Sequence, residues 1–394
     1  MADPSPSLDI DPALLGERVR AALGRPRATL TSWTTEPLEY PNFSFGARAV
    51  HRVSGKARDG DLDVPWSMIV KAFALPPPEA RAEANEIHSD YAYWKREPLA
   101  FESGLFDGMS GDLRAPDCYG VDWRGTGEAW VWLEELSDEP AGDWPIERYG
   151  LAARHLGAFN GAFLAAGQLP DDPWLASLRS VNEYWTVHPG TRSGLDVLRD
   201  PDRWAAAGTT RLGADGSIDG LRAVMQNREP LLRAIERLPQ AVCHNDAMRS
   251  NLFATRAGGG TERTSAIDWA LMGVGPIGGD VALLVAGSVM FLKVSAADVP
   301  DLDELAIDGY LRGLDDAGAS VDEVAVRFAS AACSVLRMTA IVGGWIQMAL
   351  DPADAEWTAD FWGRPIDELL AAWGPLLGHL ERQASYALAS PLRG

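Results

Sequence analysis

One stretch restricts the fold of this chain more than any other: Cys243–Phe253, reading CHNDAMRSNLF, followed by SAIDW at Ser265–Trp269. It sets a histidine, an aspartate and an amide in the order His244-x-Asp246-x-x-x-x-Asn251. A second aspartate, Asp268, returns between Ile267 and Trp269, 22 residues after Asp246. Three fixed residues at such a spacing recur by chance in roughly one protein in twenty of this length. An apolar-Asp-aromatic triplet between two apolar strands, together with a lysine on an upstream strand, makes accident a poor explanation.

That upstream strand is predicted at Leu62–Phe73, LDVPWSMIVKAF, where Leu62, Val64, Trp66, Met68 and Val70 alternate onto one face. Ala49–Val53 is a candidate partner, Lys56–Asp61 supplies turn chemistry for the hairpin, and Lys71 falls near the strand end. Over Glu79–Arg96, Ala80, Ala84, Ile87, Tyr91 and Trp94 recur at spacings of three and four. This predicts a helix that Pro98 should end near Glu97. A further strand is expected at Ala129–Leu133, and the acidic Glu134–Gly142 marks a junction between lobes. Helices are expected beyond it at Ile146–Ala165, Val321–Leu350 and Ile366–Leu388, with Gly343 and Gly344 a weak point in the second. Val281–Leu292 reads as a buried helix, short of the roughly 20 residues that cross a bilayer.

The motif wording resembles that of the aminoglycoside phosphotransferase and choline kinase family, small-molecule kinases of the protein-kinase-like fold. The resemblance implies an α+β, bilobal fold. Residues 1–136 would form an N-lobe of antiparallel sheet with one main helix, and residues 137–394 a mostly helical C-lobe holding the catalytic loop and acceptor site. It implies transfer of the γ-phosphoryl group of ATP to a hydroxyl of a small molecule. Such transfer needs a carboxylate to orient the hydroxyl and oxygen ligands to hold Mg2+ against the phosphates.

By the same resemblance Asp246 is the acceptor-orienting base, Asn251 and Asp268 hold the metal, and Lys71 binds the α- and β-phosphates. The Lys71 partner is Glu97, within Trp94-Lys95-Arg96-Glu97-Pro98, or Glu86. Ser44 and Gly46 belong to the phosphate loop Asn42–Arg48, and Glu134, Glu135 and Leu136 to the hinge that meets adenine. His244 is expected to pack the loop, and Asp280 to be architectural, capping a helix starting at Val281 and accepting backbone hydrogen bonds. The chain departs from the family at Asn245, where glycine is common, in Asp268-Trp269-Ala270 where protein kinases carry D-F-G, and in a phosphate loop with one glycine. That last departure touches nucleotide affinity and the choice of ATP over GTP.

Composition bears on the partners. With 35 basic and 56 acidic side chains the formal net charge is -21, which repels nucleic acid and anionic membranes and leaves a small molecule as the expected partner. An acidic surface suits a cationic acceptor, or serves solubility alone. Trp174, Tyr184, Trp185 and Trp204 lie among acidic residues and either line a pocket for an amine or pack a core. Cys118, Cys243 and Cys333 show no paired spacing, which fits a reducing, cytoplasmic setting. Two other readings are a catalytically weak nucleotide-binding regulator of the same fold and a kinase for sugars or fructosamines on protein.

Overall fold

The computed structural model describes residues 8–38, 46–76, 85–107, 109, 111–139, 142–187, 189–207, 218–257 and 260–393. Strands β1 (Thr29–Pro37), β2 (Ala47–Asp59) and β3 (Leu62–Ala74) form the first part of an antiparallel sheet. After the short β4 (Leu113–Arg114), β5 (Cys118–Trp123) and β6 (Glu128–Glu134) complete it in the order β1-β2-β3-β6-β5. Alternation in β3 works as the sequence implies: Trp66, Met68 and Val70 are buried against Leu15 and Val19 of helix α1 (Pro12–Leu23). Leu62 lies beyond that cover and is 61% exposed. The hairpin turn is only Gly60–Asp61, with Gly60 at φ +62°, while Lys56–Asp59 stays paired inside β2.

The helix expected over Glu79–Arg96 is not what forms. Residues 77–84 lie outside the described part, and 85–95 run as turns with an isolated bridge between Asn85 and Tyr93. Helix α2 (Arg96–Glu102) starts where the prediction ended, and Pro98 sits in its first turn. A proline there forfeits nothing, because first-turn N–H groups have no intrahelical acceptor.

The C-lobe is helical: α3 (Ile146–Ala166), α4 (Leu178–Val187), α5 (Pro189–Arg199), α6 (Pro201–Ala207), α7 (Asp219–Gln226) and α8 (Arg228–Glu236) precede the catalytic loop. Four short strands surround that loop: β7 (Gln240–Cys243), β8 (Leu252–Arg256), β9 (Glu262–Ala266) and β10 (Gly273–Pro276). Then come α9 (Gly279–Met290), α10 (Val299–Asp316), α11 (Glu323–Leu350), α12 (Pro352–Trp362) and α13 (Ile366–Ala389). Strand β7 pairs with β10, and β9 lies between β4 and β8.

Helices α3 and α10 touch backbone to backbone: a Cβ on Gly309 would lie 2.0 Å from the Gly150 carbonyl, and one on Gly157 2.1 Å from the Tyr310 carbonyl. Helix α9 is buried at every position, and α11 runs unbroken through Gly343 and Gly344. Among the described helices α11 alone is long and apolar enough to cross a membrane, yet 89% of its apolar window is buried inside the protein. Trp174 and Trp204, 6% and 4% exposed, belong to this C-lobe core and not to an open pocket. The side chains of Tyr184 and Trp185 lie outside the described residues.

Candidate active site

Lys71 stands on β3 between Val50 of β2 and Val131 of β6, on the face opposite α1. Its Nζ donates to both Glu97 oxygens, at 2.7 and 2.9 Å, and to Oδ1 of Asp268 at 3.2 Å. Glu97 is 1% exposed, and burial holds its carboxyl above the usual range while the Lys71 ammonium draws it back. Of the two candidate partners, Glu97 therefore meets Lys71. Glu86 instead lies 3.6 Å from Lys95.

Residue Glu97 is held by its neighbour. The Arg96 guanidinium, with no exposed surface, donates to the carbonyls of Trp174, Tyr91, Ala270, His88 and Asp90. One side chain thus ties the start of α2 to the C-lobe and to the segment two residues past Asp268.

Across the cleft, β7 ends at Cys243 and the backbone turns sharply. The N–H groups of His244 and Asn245 donate to the Asp280 carboxylate at 3.1 and 2.7 Å. Asp280 is the second residue of α9, whose N-cap is Gly278, so its carboxylate braces the catalytic loop and does not cap the helix. His244 lies 2.9 Å by Nε2 from the Ile267 carbonyl, which requires Nε2–H, and its Nδ1 accepts from the Asp246 N–H at 3.1 Å. Burial lowers its pKa, which keeps this tautomer neutral.

Asn245 has φ +64° and Asp268 φ +62°. Asparagine and aspartate are the non-glycine residues that enter this region most readily, which accounts for Asn245 at a position where the family favours glycine.

The Nδ2 of Asn251 donates to the Asp246 carbonyl and to its Oδ2, both at 2.9 Å. Both donors therefore point toward Asp246, and Oδ1 of Asn251 is buried with no partner among the described residues. The Ile267 N–H donates to the Asn251 carbonyl at 2.9 Å, which joins this loop to the residue before Asp268. An orphaned amide oxygen is a hard donor of the type that suits Mg2+ or Ca2+. Among the described residues no group of three or more His, Cys, Asp or Glu is arranged to hold a metal. Asp246 has its pKa pushed up to about 7 by burial and by nearby Asp268, with the Arg337 guanidinium drawing it down.

Residues 113–323, more than half of the chain, match the family model described as the phosphotransferase enzyme family. The chain belongs to that family. As a member of the phosphotransferase enzyme family it is a small-molecule kinase of the protein-kinase-like fold. A choline kinase from Cryptosporidium parvum Iowa II is 14% identical with a TM-score of 0.51, over 98% of this chain and 100% of that one. An aminoglycoside phosphotransferase from Alicyclobacillus acidocaldarius is 15% identical with a TM-score of 0.45, over 84% and 92%. An amicoumacin kinase in complex with AMP-PNP, Ca2+ and Ami is 13% identical with a TM-score of 0.47, over 91% and 94%. No curated protein matches.

Other residues expected in the kinase site fall differently. Ser44 lies outside the described residues. Gly46 has φ +87°, and a Cβ there would lie 2.6 Å from Cβ of Trp94, so only glycine fits. The Glu134 carboxylate is engaged by Arg114 at 2.6 and 2.9 Å and by the Asp117 N–H at 3.1 Å. Leu136 is half-buried just past β6.

Sequence reasoning missed Arg337 of α11, which reaches the loop from 91 residues beyond Asp246. The signal available was a single charge in the otherwise uncharged run Phe328–Leu350, a position that must find polar partners if the helix is buried.

Proposed function

We propose that this kinase moves the γ-phosphoryl group of ATP to a hydroxyl of a small, amine-bearing molecule: an aminoglycoside, an amino sugar or an amino alcohol. The observation that carries this reading is the fixed Asn251 amide. It holds the Asp246 carboxylate with one end and leaves a buried oxygen at the other.

In this reading Asp246 orients the acceptor hydroxyl and takes its proton as the oxygen attacks the γ-phosphorus, a role suited to a pKa of about 7. Lys71, held by Glu97, binds non-bridging oxygens of the α- and β-phosphates. Asn251 and Asp268 would hold Mg2+, which supplies charge neutralisation at the phosphates when bound. Gly46 belongs to the phosphate loop, and the Glu134–Leu136 segment to the hinge facing adenine. The domain division at residue 136 and cytoplasmic residence belong to the same reading, the latter supported by three free thiols.

A formal charge of -21 and the choline kinase of like fold support a cationic acceptor. Against the alternative of a catalytically weak regulator, the chain carries Lys71, Glu97, Asp246, Asn251 and Asp268 together. ATP consumption measured over kanamycin, spectinomycin, choline and ethanolamine, with EDTA as the metal-free control, tests the reading. At least one acceptor should stimulate turnover, and Asp246→Ala should abolish it while a fluorescent ATP analogue still binds. Turnover of an antibiotic would assign a resistance role. No stimulation by any amine-bearing acceptor would overturn the assignment.

A further inference from the structure

We propose that Arg337 is a positioning residue, which clamps the catalytic loop at Asn245 and thereby sets where the Asp246 carboxylate stands. The inference rests on the phosphotransfer reading above for the meaning of Asp246.

Arg337 sits in the middle of α11 and is 2% exposed. It has no carboxylate within ion-pair distance among the described residues, an unusual condition for a buried cation. Its guanidinium spends its donors on two asparagines. Nη1 donates to the Asn245 carbonyl at 2.6 Å, Nη2 to Asn245 Oδ1 at 3.2 Å, and Nε to Asn182 Oδ1 of α4 at 3.1 Å.

Seen from Asn245, every polar atom is occupied. Its N–H donates to Asp280 at 2.7 Å, its Nδ2 to the Leu271 carbonyl at 3.1 Å, and both its oxygens accept from Arg337. A residue at φ +64°, held at four atoms from three elements, leaves the following residue little freedom.

The departure at Asn245 thereby acquires a reason. Glycine would supply the left-handed backbone but no side-chain oxygen, whereas asparagine supplies both and so accepts the second arm of the fork. Arginine matters here for its geometry: a planar group can meet a carbonyl and an amide oxygen of one residue together, and an ammonium cannot do so with the same fixity. The mount is rigid as well, because α11 is buried over most of its length and Gly343, six residues on, packs backbone to backbone on Gly194 of α5.

The test compares wild type, Arg337→Met and Arg337→Lys in the full chain. ATP turnover is measured with kanamycin, choline, ethanolamine and water as acceptors, and amide hydrogen exchange is followed over residues 244–251. Arg337→Met should lower kcat on the order of 10- to 100-fold with the KM for ATP unchanged within about twofold, because the nucleotide contacts lie elsewhere. Arg337→Lys should recover part of the loss through one bond to the Asn245 carbonyl. Exchange at residues 244–246 should accelerate in the Met variant while α3 and α9 keep their protection.

A kcat within twofold of wild type in both variants would overturn the inference. So would equal loss of kcat, nucleotide affinity and global protection, the mark of a merely structural role. If the wild type turns over nothing, the phosphotransfer reading has failed, and the exchange comparison still judges the clamp: unchanged exchange at 244–246 refutes it. If the Met variant does not fold, the Lys variant decides by the same two readouts.

Discussion

Asp246 and Asn251 form one unit, since the amide that holds the carboxylate is oriented by it. Replacing Asp246 with asparagine keeps the volume and one oxygen for Asn251, and removes the ability to take a proton. Asp246→Asn should therefore lower kcat by about 10²–10⁴-fold and leave the KM for ATP nearly unchanged, in a coupled ADP-release assay. Arg96 belongs to the same scale with a different consequence. Truncating it to methionine would leave five carbonyls without their donor, two of them in the C-lobe, where unsatisfied buried groups cost about 1–3 kcal/mol each before relaxation. Arg96→Met should unfold several degrees lower in a thermal melt, with nucleotide binding weakened because Glu97 loses its support. The motif residues were readable because they sit within one loop or one strand. Arg96 stood in a recognised neighbourhood, yet its acceptors lie up to 174 residues away, so its role was invisible in the chain.

At the scale of elements, the periodicity of Ala80, Ala84, Ile87, Tyr91 and Trp94 matched a helix that the described residues do not form. Asn85 and Asp90 explain the failure. The Asn85 side chain accepts from the Ile87 N–H at 2.9 Å and the Asp90 side chain from the Ala92 N–H at 2.9 Å, local turns that compete with the helical ladder. In α11 the opposite holds: Gly343 and Gly344 read as a weak point, and the helix continues because glycine lets α5 approach. The same device joins α3 to α10. A Cβ at Gly313 would lie 1.9 Å from the Arg154 carbonyl, so Gly313→Ala must push the helices apart. Despite alanine's better helix propensity, that variant should lose about 1–3 kcal/mol in urea denaturation. Unchanged stability would mean that α3 and α10 are not in backbone contact.

For the whole molecule, buried histidines weaken the folded state as pH falls. His155, 5% exposed and 2.9 Å by Nδ1 from Thr264 Oγ1, has its pKa lowered to about 4 by burial and by the Arg148 charge. The unfolded chain therefore takes up the proton first. The contribution is complete above the unfolded pKa near 6.5 and is lost as pH falls toward 4, by up to about 3 kcal/mol. His155→Gln should flatten the fall in urea midpoint between pH 7 and pH 5 relative to wild type. An identical slope would mean that the ring is not held neutral. Buried carboxyls act in the opposite sense: Asp303, pushed up to about 6 by burial, favours the folded state as pH falls, so only the difference between the two proteins isolates His155.

The motif residues, the strands β2, β3 and β6 and most of the long helices were legible in local pattern, because a loop of fixed spacing and a period of two or 3.6 are properties of neighbouring residues, and the α+β class followed from the family resemblance that the motif carries. The choice of Glu97 over Glu86, the bracing role of Asp280, the burial of Trp174 and Trp204, and the guanidinium clamps of Arg96 and Arg337 were decided only by tertiary structure. The charged groups depend on which distant polar atoms they can reach and the tryptophans on what packs over them, and burial is a property of the packed lobes that no stretch of chain carries alone.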